Sequence, residues 1–213
     1  AHAAILRSFA KREANVLVGT QMIAKGHDFP NVTLVGVLNA DTALNRPDFR
    51  AAERTFQLLT QVAGRAGRGP KGGRVIVQTY NPDHYAIQAA SLHDYNAFYS
   101  REIEARRKQA YPPFVHLVKI GFADQEEAMA LTAARRVACA LEEIGVRNKR
   151  GDPHYIGPAE APLHRLRGKY RYHMLIKGSR ADLARDVVET ALRKVGQTGT
   201  TQLTVDVDPT DMM

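Results

Sequence analysis

The chain has a single cysteine, Cys139, among 213 residues. A lone thiol excludes an internal disulfide framework and any cysteine-rich zinc site within this chain, and it points to a reducing, cytoplasmic compartment. No apolar run approaches the ~20 residues a membrane helix needs, which excludes an integral helical membrane protein. Internal repeats and low-complexity tracts are absent as well. The opening residues Ala1-His2-Ala3 carry neither an initiator Met nor a signal-peptide pattern, so the chain reads as a piece of something longer. Acidic residues are the minority charge: Lys+Arg 30 against Asp+Glu 22 gives net +8. That excess makes nucleic acid or another polyanion the partner to expect. With 44% hydrophobic and 24% charged residues, the composition is that of an ordinary globular protein rather than a disordered or fibrous one.

Two regions of different architecture follow from the apolar patterning. In the first, the runs Val16-Leu17-Val18, Val32 to Leu38 and Arg74 to Tyr80 are continuous and rich in β-branched residues, which predicts strands of a parallel sheet covered on both faces. A helix is expected from Asp48 to about Ala63, because Ala52, Phe56, Leu59 and Ala63 recur at helical spacing. Asp48 is its expected N-cap, and Gly67-Arg68-Gly69-Pro70 stops it. Three strands are few for a nucleotide-binding α/β lobe. Either further strands lie upstream of Ala1 or the remnant leans on its neighbour for cover.

The second region starts with a helix from about His93 to Gln109, then Tyr111-Pro112-Pro113-Phe114 and a strand from Val115 to Phe122. A helix from Asp124 to about Gly145 carries Ala128, Leu131, Ala134, Val137, Ala138, Leu141 and Ile144 on one face. Asp124 with Glu127 has the spacing of a capping box. A short strand near Tyr155 to Gly157, a strand from Arg171 to Lys177, a helix from Ala181 to Val195 and a strand from Leu203 to Val207 complete the order β-α-β-β-α-β. That is the order of a ferredoxin-like split-βαβ sheet with two helices on one face.

The stretch most specific for chemistry is Gln61-Val62-Ala63-Gly64-Arg65-Ala66-Gly67-Arg68. Arg65 and Arg68 lie three residues apart at a helix end, close enough to converge on one anion. Guanidinium forks match phosphate oxygens and stay charged at physiological pH. The same pattern of Arg and Gly also suits a helix C-terminus whose dipole attracts cations.

Q-x-x-G-R-x-x-R resembles motif VI of superfamily-two helicases, and Gly19-Thr20-Gln21-Met22-Ile23-Ala24-Lys25-Gly26-His27-Asp28-Phe29-Pro30-Asn31-Val32 resembles motif V in one family's version. That family is primosomal protein N′ (PriA), the bacterial replication-restart DNA helicases. Asn39-Ala40-Asp41, Pro47 to Arg54, Tyr111 to Phe114, Gly157 to Leu163, Tyr170 to His173 and Asp206 to Pro209 agree with it in order. The resemblance implies an α/β chain: residues 1–95 as the distal half of a RecA-like helicase lobe (a parallel sheet with flanking helices) and residues 96–213 as a ferredoxin-like, split-βαβ domain that binds DNA and partners. It implies an ATP-dependent 3′ to 5′ DNA helicase that recognises stalled or branched forks and restarts replication by primosome assembly.

By resemblance, Arg68 is the arginine finger to the γ-phosphate and Arg65 its companion, while Gln61 organises the nucleotide or its water. Gly26 and Asp28 face the nucleotide cleft; Gly19 and Thr20 present amide and hydroxyl groups to a single-strand phosphate. ATP and Mg²⁺ are the implied cofactors of the intact protein. Zn²⁺ is implied too, on paired cysteines upstream of this chain, with no metal site within it. The sequence departs from the family in having no G-x-x-x-x-G-K-[ST] phosphate loop and no D-E-x-H run. The fragment alone is therefore expected neither to hydrolyse ATP nor to unwind DNA. The alternative is a non-catalytic assembly module that binds DNA and protein.

A second cluster spans Arg147 to Tyr172: Arg147, Lys149, Arg150, Arg165, Arg167, Lys169 and Arg171 against Asp152 and Glu160. It reads as a basic connector between strands, interleaved with Tyr155, Tyr170 and Tyr172. Such a segment is either a solvated loop or a surface using phosphate contacts and aromatic faces for unpaired bases. Arg165, Arg167, Lys169 and Arg171 are the DNA-contact candidates, with Arg147, Lys149 and Arg150 behind them. Arg106-Arg107-Lys108 reads as a structural helix end. The implied partners are branched and single-stranded DNA, the acidic tail of single-stranded DNA-binding protein, and primosome components, at replication forks of the nucleoid in a bacterial cytoplasm.

Overall fold

The computed structural model describes residues 2–20, 29, 31–64 and 73–212. The chain divides into two compact units, Ala1–Arg46 with Arg50–Glu102 and Pro47–Phe49 with Ile103–Met213.

The first unit opens with α1 (His2–Ala10), whose Phe9 meets Phe29 edge-on at 5.0 Å. Then come β1 (Leu34–Val37), α2 (Asp41–Leu44), α3 (Ala51–Ala63), β2 (Arg74–Val77), α4 (Tyr85–Ser91) and, as far as Glu102, α5 (Tyr95–Lys108). β1 and β2 pair in parallel, Leu34 opposite Arg74 and Val37 opposite Val77. The expected third strand does not form: Val16 to Val18 is unassigned coil, with Val16 76% and Val18 82% exposed. Its apolar β-branched residues satisfy a local preference, yet a strand also needs a ladder partner, and β1 and β2 pair with each other. The core lies beneath the helices, where Phe56 and Leu59 of α3, Ala86, Ile87, Ala89 and Ala90 of α4 and Phe98 of α5 pack together. Phe56 stacks on Phe98 at 4.3 Å. α4 is started by His84, whose Nδ1 accepts the Ala86 N–H at 3.2 Å.

α3 begins at Ala51 rather than Asp48, with Arg50 as its uncapped N-cap. Asp48 is instead buried in the second unit, where its carboxylate accepts the Met212 N–H at 3.4 Å. Phe49 beside it stacks on Tyr111 at 5.0 Å.

The second unit runs β3 (His116–Asp124), α6 (Glu127–Glu143), β4 (His154–Leu166), β5 (Lys169–Gly178), α7 (Ala181–Val195) and β6 (Gln202–Val207). Its sheet has the order β4-β5-β3-β6, with every neighbouring pair antiparallel. This is the split-βαβ topology: β3 and β4 are joined through α6, with β5 inserted between them. Val118, Ile120 and Phe122 of β3 and Tyr172, Met174 and Ile176 of β5 alternate onto one face. They pack there against Ala130, Ala134, Val137 and Leu141 of α6 and Ala184, Val188 and Ala191 of α7. α6 stops as expected from sequence, with Gly145 at φ 88, a left-handed conformation that glycine takes without Cβ strain.

The capping box does not form. Glu126, not Asp124, occupies the N-cap of α6, and no side chain caps it. Asp124 ends β3, accepting the Glu126 N–H at 3.1 Å and the hydroxyls of Thr200 and Thr201 at 2.9 Å each. Glu127 accepts the Tyr172 hydroxyl at 2.8 Å. Long-range partners have taken both carboxylates from the local motif. β4 is also far longer than the short strand expected, because bulges at Ile156/Ala159 and Glu160/Arg165 carry it past the prolines that break its alternation.

The hydrogen bond from the Glu126 backbone, then those from Thr200 and Thr201, hold the Asp124 carboxyl below its usual value against burial. A carboxyl depressed by folding stabilises fully above its unfolded value, and that contribution is lost as pH falls through the folded one. The urea midpoint of the chain, followed by circular dichroism, is therefore expected to fall as pH drops below about 4. Asp124→Asn should lower the midpoint at pH 7 and shallow that acid limb. An unchanged limb in the variant contradicts the assignment.

Candidate nucleotide and nucleic-acid sites

In the first unit, α3 turns Ala51, Thr55, Phe56, Leu59 and Val62 inward, and the 3.6-residue period leaves Gln61 exposed on its last turn. Thr55 satisfies its buried hydroxyl by donating to the Ala51 carbonyl at 2.8 Å. Gly64 is the C-cap, and its N–H closes on the Thr60 carbonyl at 3.1 Å. Gln61 thus stands where the chain leaves α3 toward Arg65 and Arg68, both outside the described residues. Gly19 and Thr20 lie in exposed coil, whereas Gly26 and Asp28 are also outside the described residues.

A residue without a role in the sequence reading organises this unit. The buried Asp41 carboxylate accepts Thr79 Oγ1 at 3.1 Å, the Tyr80 N–H at 2.9 Å and Asn81 Nδ2 at 2.6 Å. The Tyr80 amide, followed by Asn81, holds it below the usual carboxylate range. It thereby ties the segment after β1 to the segment after β2, at the C-terminal edge of the sheet, where open α/β sheets place their ligands. The clue in the sequence was an Asp directly after an apolar strand, in Asn39-Ala40-Asp41.

In the second unit, the basic connector is a β-hairpin rather than a loop. Leu166 pairs with Lys169 and Arg165 with Tyr170, leaving a two-residue turn, Arg167-Gly168, at φ 52 and 79. Both turn residues are left-handed, the geometry that matches strand twist in tight hairpins. The four candidates consequently separate. Arg167 is exposed at the tip, and the exposed Arg165 lays its guanidinium over Tyr170, 5.0 Å from the ring centroid. Lys169 and Arg171 sit at alternate positions of β5, and Lys169 Nζ reaches Gln202 Oε1 of β6 at 3.2 Å.

Two of the three interleaved tyrosines are unavailable to bases. Tyr155 and Tyr172 are buried, and their hydroxyls donate to Glu142 at 2.7 Å and Glu127 at 2.8 Å, both on α6. Burial and Glu142 push the Tyr155 phenol up to about 12. His164 lies 3.4 Å from Glu127 and 3.7 Å from Glu160 at the hairpin stem. Arg147, Lys149 and Arg150 belong to a tight turn with Arg147 bridged to Arg150, and Arg147 also donates to the Glu142 carbonyl at 3.5 Å. Arg106 donates to the Pro112 carbonyl at 3.4 Å, Arg107 lies 4.8 Å over Phe114, and Lys108 pairs with Glu104 at 2.7 Å. That helix end is structural, as its position suggested.

Comparison with known proteins matches residues 1–70 to the helicase conserved C-terminal domain and residues 107–210 to the primosomal protein N C-terminal domain. The replication restart protein PriA of Bacillus subtilis (strain 168) is 45% identical over all of this chain and 26% of its own length. Those of Synechocystis and Chlamydia pneumoniae are 42% identical over 83% of the chain and 39% over 98%, covering 21% and 27% of their lengths. The chain belongs to the PriA family. It corresponds to the C-terminal part of those proteins and spans about a quarter of the length of the relatives it matches. A RecA-like helicase segment followed by the PriA C-terminal domain is thus its domain content.

Because Gln61 is exposed and outside the core of α3, Gln61→Ala should change the stability of this PriA segment by less than about 0.5 kcal/mol. Urea unfolding of the two chains checks it. A larger loss would mean that Gln61 carries packing instead of being free for a ligand.

Proposed function

We propose that this chain is the C-terminal portion of an ATP-dependent, 3′ to 5′ DNA helicase that recognises stalled or branched forks and restarts replication through primosome assembly. The observation that carries the reading is the Q-x-x-G-R-x-x-R stretch, whose Gln61 stands exposed on the last turn of α3, within a segment matching a helicase C-terminal domain. In this reading Arg68 and Arg65 meet the γ-phosphate of ATP, with Gln61 beside them and Gly26 and Asp28 lining the same cleft. Two guanidinium groups and a carboxamide suit a polyphosphate as a donor set. Bound Mg·ATP supplies the phosphoryl group, and the arginines hold cationic charge where negative charge develops. Gly19 and Thr20 contact single-stranded DNA, and the hairpin and sheet of the second unit contact the fork. Zinc, if held by the intact protein, depends on ligands other than Cys139, which is the single thiol here. The acidic tail of single-stranded DNA-binding protein and primosome components are the proposed protein partners.

The second reading, a binding and assembly module without ATPase of its own, draws support from the closed core that the second unit buries for itself. ATP hydrolysis by a full-length PriA protein carrying this C-terminal portion separates the two. Arg68→Ala is expected to lower kcat by about 10³-fold or more, with DNA binding retained. Unchanged kcat removes Arg68 from the chemistry. Hydrolysis by the 213-residue chain alone would contradict the division of labour proposed.

A further inference from the structure

α6 and α7 cover one face of the second unit's sheet, and the residues that alternate with its core build the other face. On β5 these are Lys169, Arg171, His173, Leu175 and Lys177; on β3, Leu117, Lys119, Gly121 and Ala123; on β6, Gln202, Thr204 and Asp206. One end of the face is closed. Leu117 and Lys177 are buried there, Lys177 Nζ donates to the Gln109 carbonyl at 3.0 Å, and it lies 3.6 Å over Tyr111. Leu175 is buried too, and the half-buried Lys119 donates its Nζ to the Asp211 carbonyl at 3.0 Å, whereas Arg171 and His173 are half-buried and Gln202 and Thr204 exposed.

The register places these groups together. Ala123 lies opposite both Arg171 and Gln202, Gly121 opposite both His173 and Thr204, and Lys119 opposite Asp206. Gly121 and Ala123 make a flat floor, with His173 and Arg171 on the β5 side and Thr204 and Gln202 on the β6 side. At Gly121 a Cβ would come within 2.6 Å of Thr204 Oγ1, so the floor stays low. Burial, then Lys119, then Arg171 push the His173 imidazole below its ordinary value, a sign that positive charge converges there. Asp206 is the one acidic side chain among the strand residues that alternate onto this face.

We infer that this helix-free face is a seat for the phosphate backbone of DNA, with Lys119, Lys169 and Arg171 as its cations and Gln202 and Thr204 as neutral donors. The inference rests on the DNA-binding reading above and moves its centre from the hairpin tip to the sheet. Lys169, Arg171 and His173 recur every second residue, about 7 Å apart along β5, a row suited to successive phosphates of an extended strand. Tyr155 and Tyr172 are held by α6 on the other face. The floor of Gly121 and Ala123 thus offers no ring for base stacking and no pocket for an apolar peptide side chain. Contact is with the backbone and independent of base sequence.

The test uses the 213-residue chain and two fluorescein-labelled forked DNAs of different base composition, titrated over a range of salt. Lys119→Gln/Arg171→Gln should weaken both DNAs alike, roughly tenfold, and lower the salt slope by about 2. Arg185→Gln/Arg193→Gln, the same charge change on α7, should bind like the unaltered chain. Equal binding by the face variant overturns the inference. If Arg165→Gln/Arg167→Gln alone loses binding, the face is wrong and the DNA reading survives; if the unaltered chain binds neither fork, the DNA reading itself fails. Lysine acetylation footprinting of the unaltered chain needs no folded variant. DNA should protect Lys119 and Lys169 but not Lys194, whereas stronger protection by polyglutamate would overturn the inference in favour of an acidic peptide.

Discussion

The two-residue period of β5 is the constraint on which the second unit depends. Tyr172, Met174 and Ile176 are committed to the core beneath α6 and α7, so Lys169, Arg171 and His173 must face the other way. A slip of one residue would bury these cations and expose the core, so the register is fixed by hydrophobic burial rather than by any ligand. β3 repeats the arrangement, with Val118, Ile120 and Phe122 inward and Lys119, Gly121 and Ala123 outward. The chemistry of the open face is in this sense a by-product of packing: the same alternation that closes the core lines up the charges.

In the first unit a helical period does the corresponding work. Packing Phe56, Leu59 and Val62 of α3 inward turns Gln61 outward at the last turn. Asp41 fixes the neighbouring sheet edge by taking three donors from Thr79 to Asn81. Its carboxylate replaces solvent for groups that would otherwise be left without partners as strand gives way to loop.

Legibility in the sequence followed how local the determining physics was. α7 was readable to its ends, Ala181 and Val195, since its apolar period and the glycine that follows are local signals. The ferredoxin-like order was readable for the same reason. β4 was not, because Gly157, Pro158 and Pro162 look like loop punctuation while two bulges let the strand continue through them. Gly157, at φ 108 with the His173 carbonyl 2.9 Å from any Cβ, is there for close strand approach rather than for a loop. Asp124 and Glu127 matched a capping box whose partners were taken by Thr200, Thr201 and Tyr172, distant in sequence. The four basic candidates looked like one cluster in the sequence. Only the register of β3 against β5 shows that Lys169 and Arg171 belong with Lys119, 50 residues before Lys169 in the numbering.

The most direct measurement is an amide NMR titration of the 213-residue chain with unlabelled forked DNA. If the sheet face seats the phosphate backbone, shift changes gather at Lys119, Gly121 and Ala123 of β3, Lys169 to His173 of β5 and Gln202 to Thr204 of β6, while α6 and α7 stay still. Changes confined to the two helices, or to the hairpin tip at Arg167 and Gly168, would contradict the account.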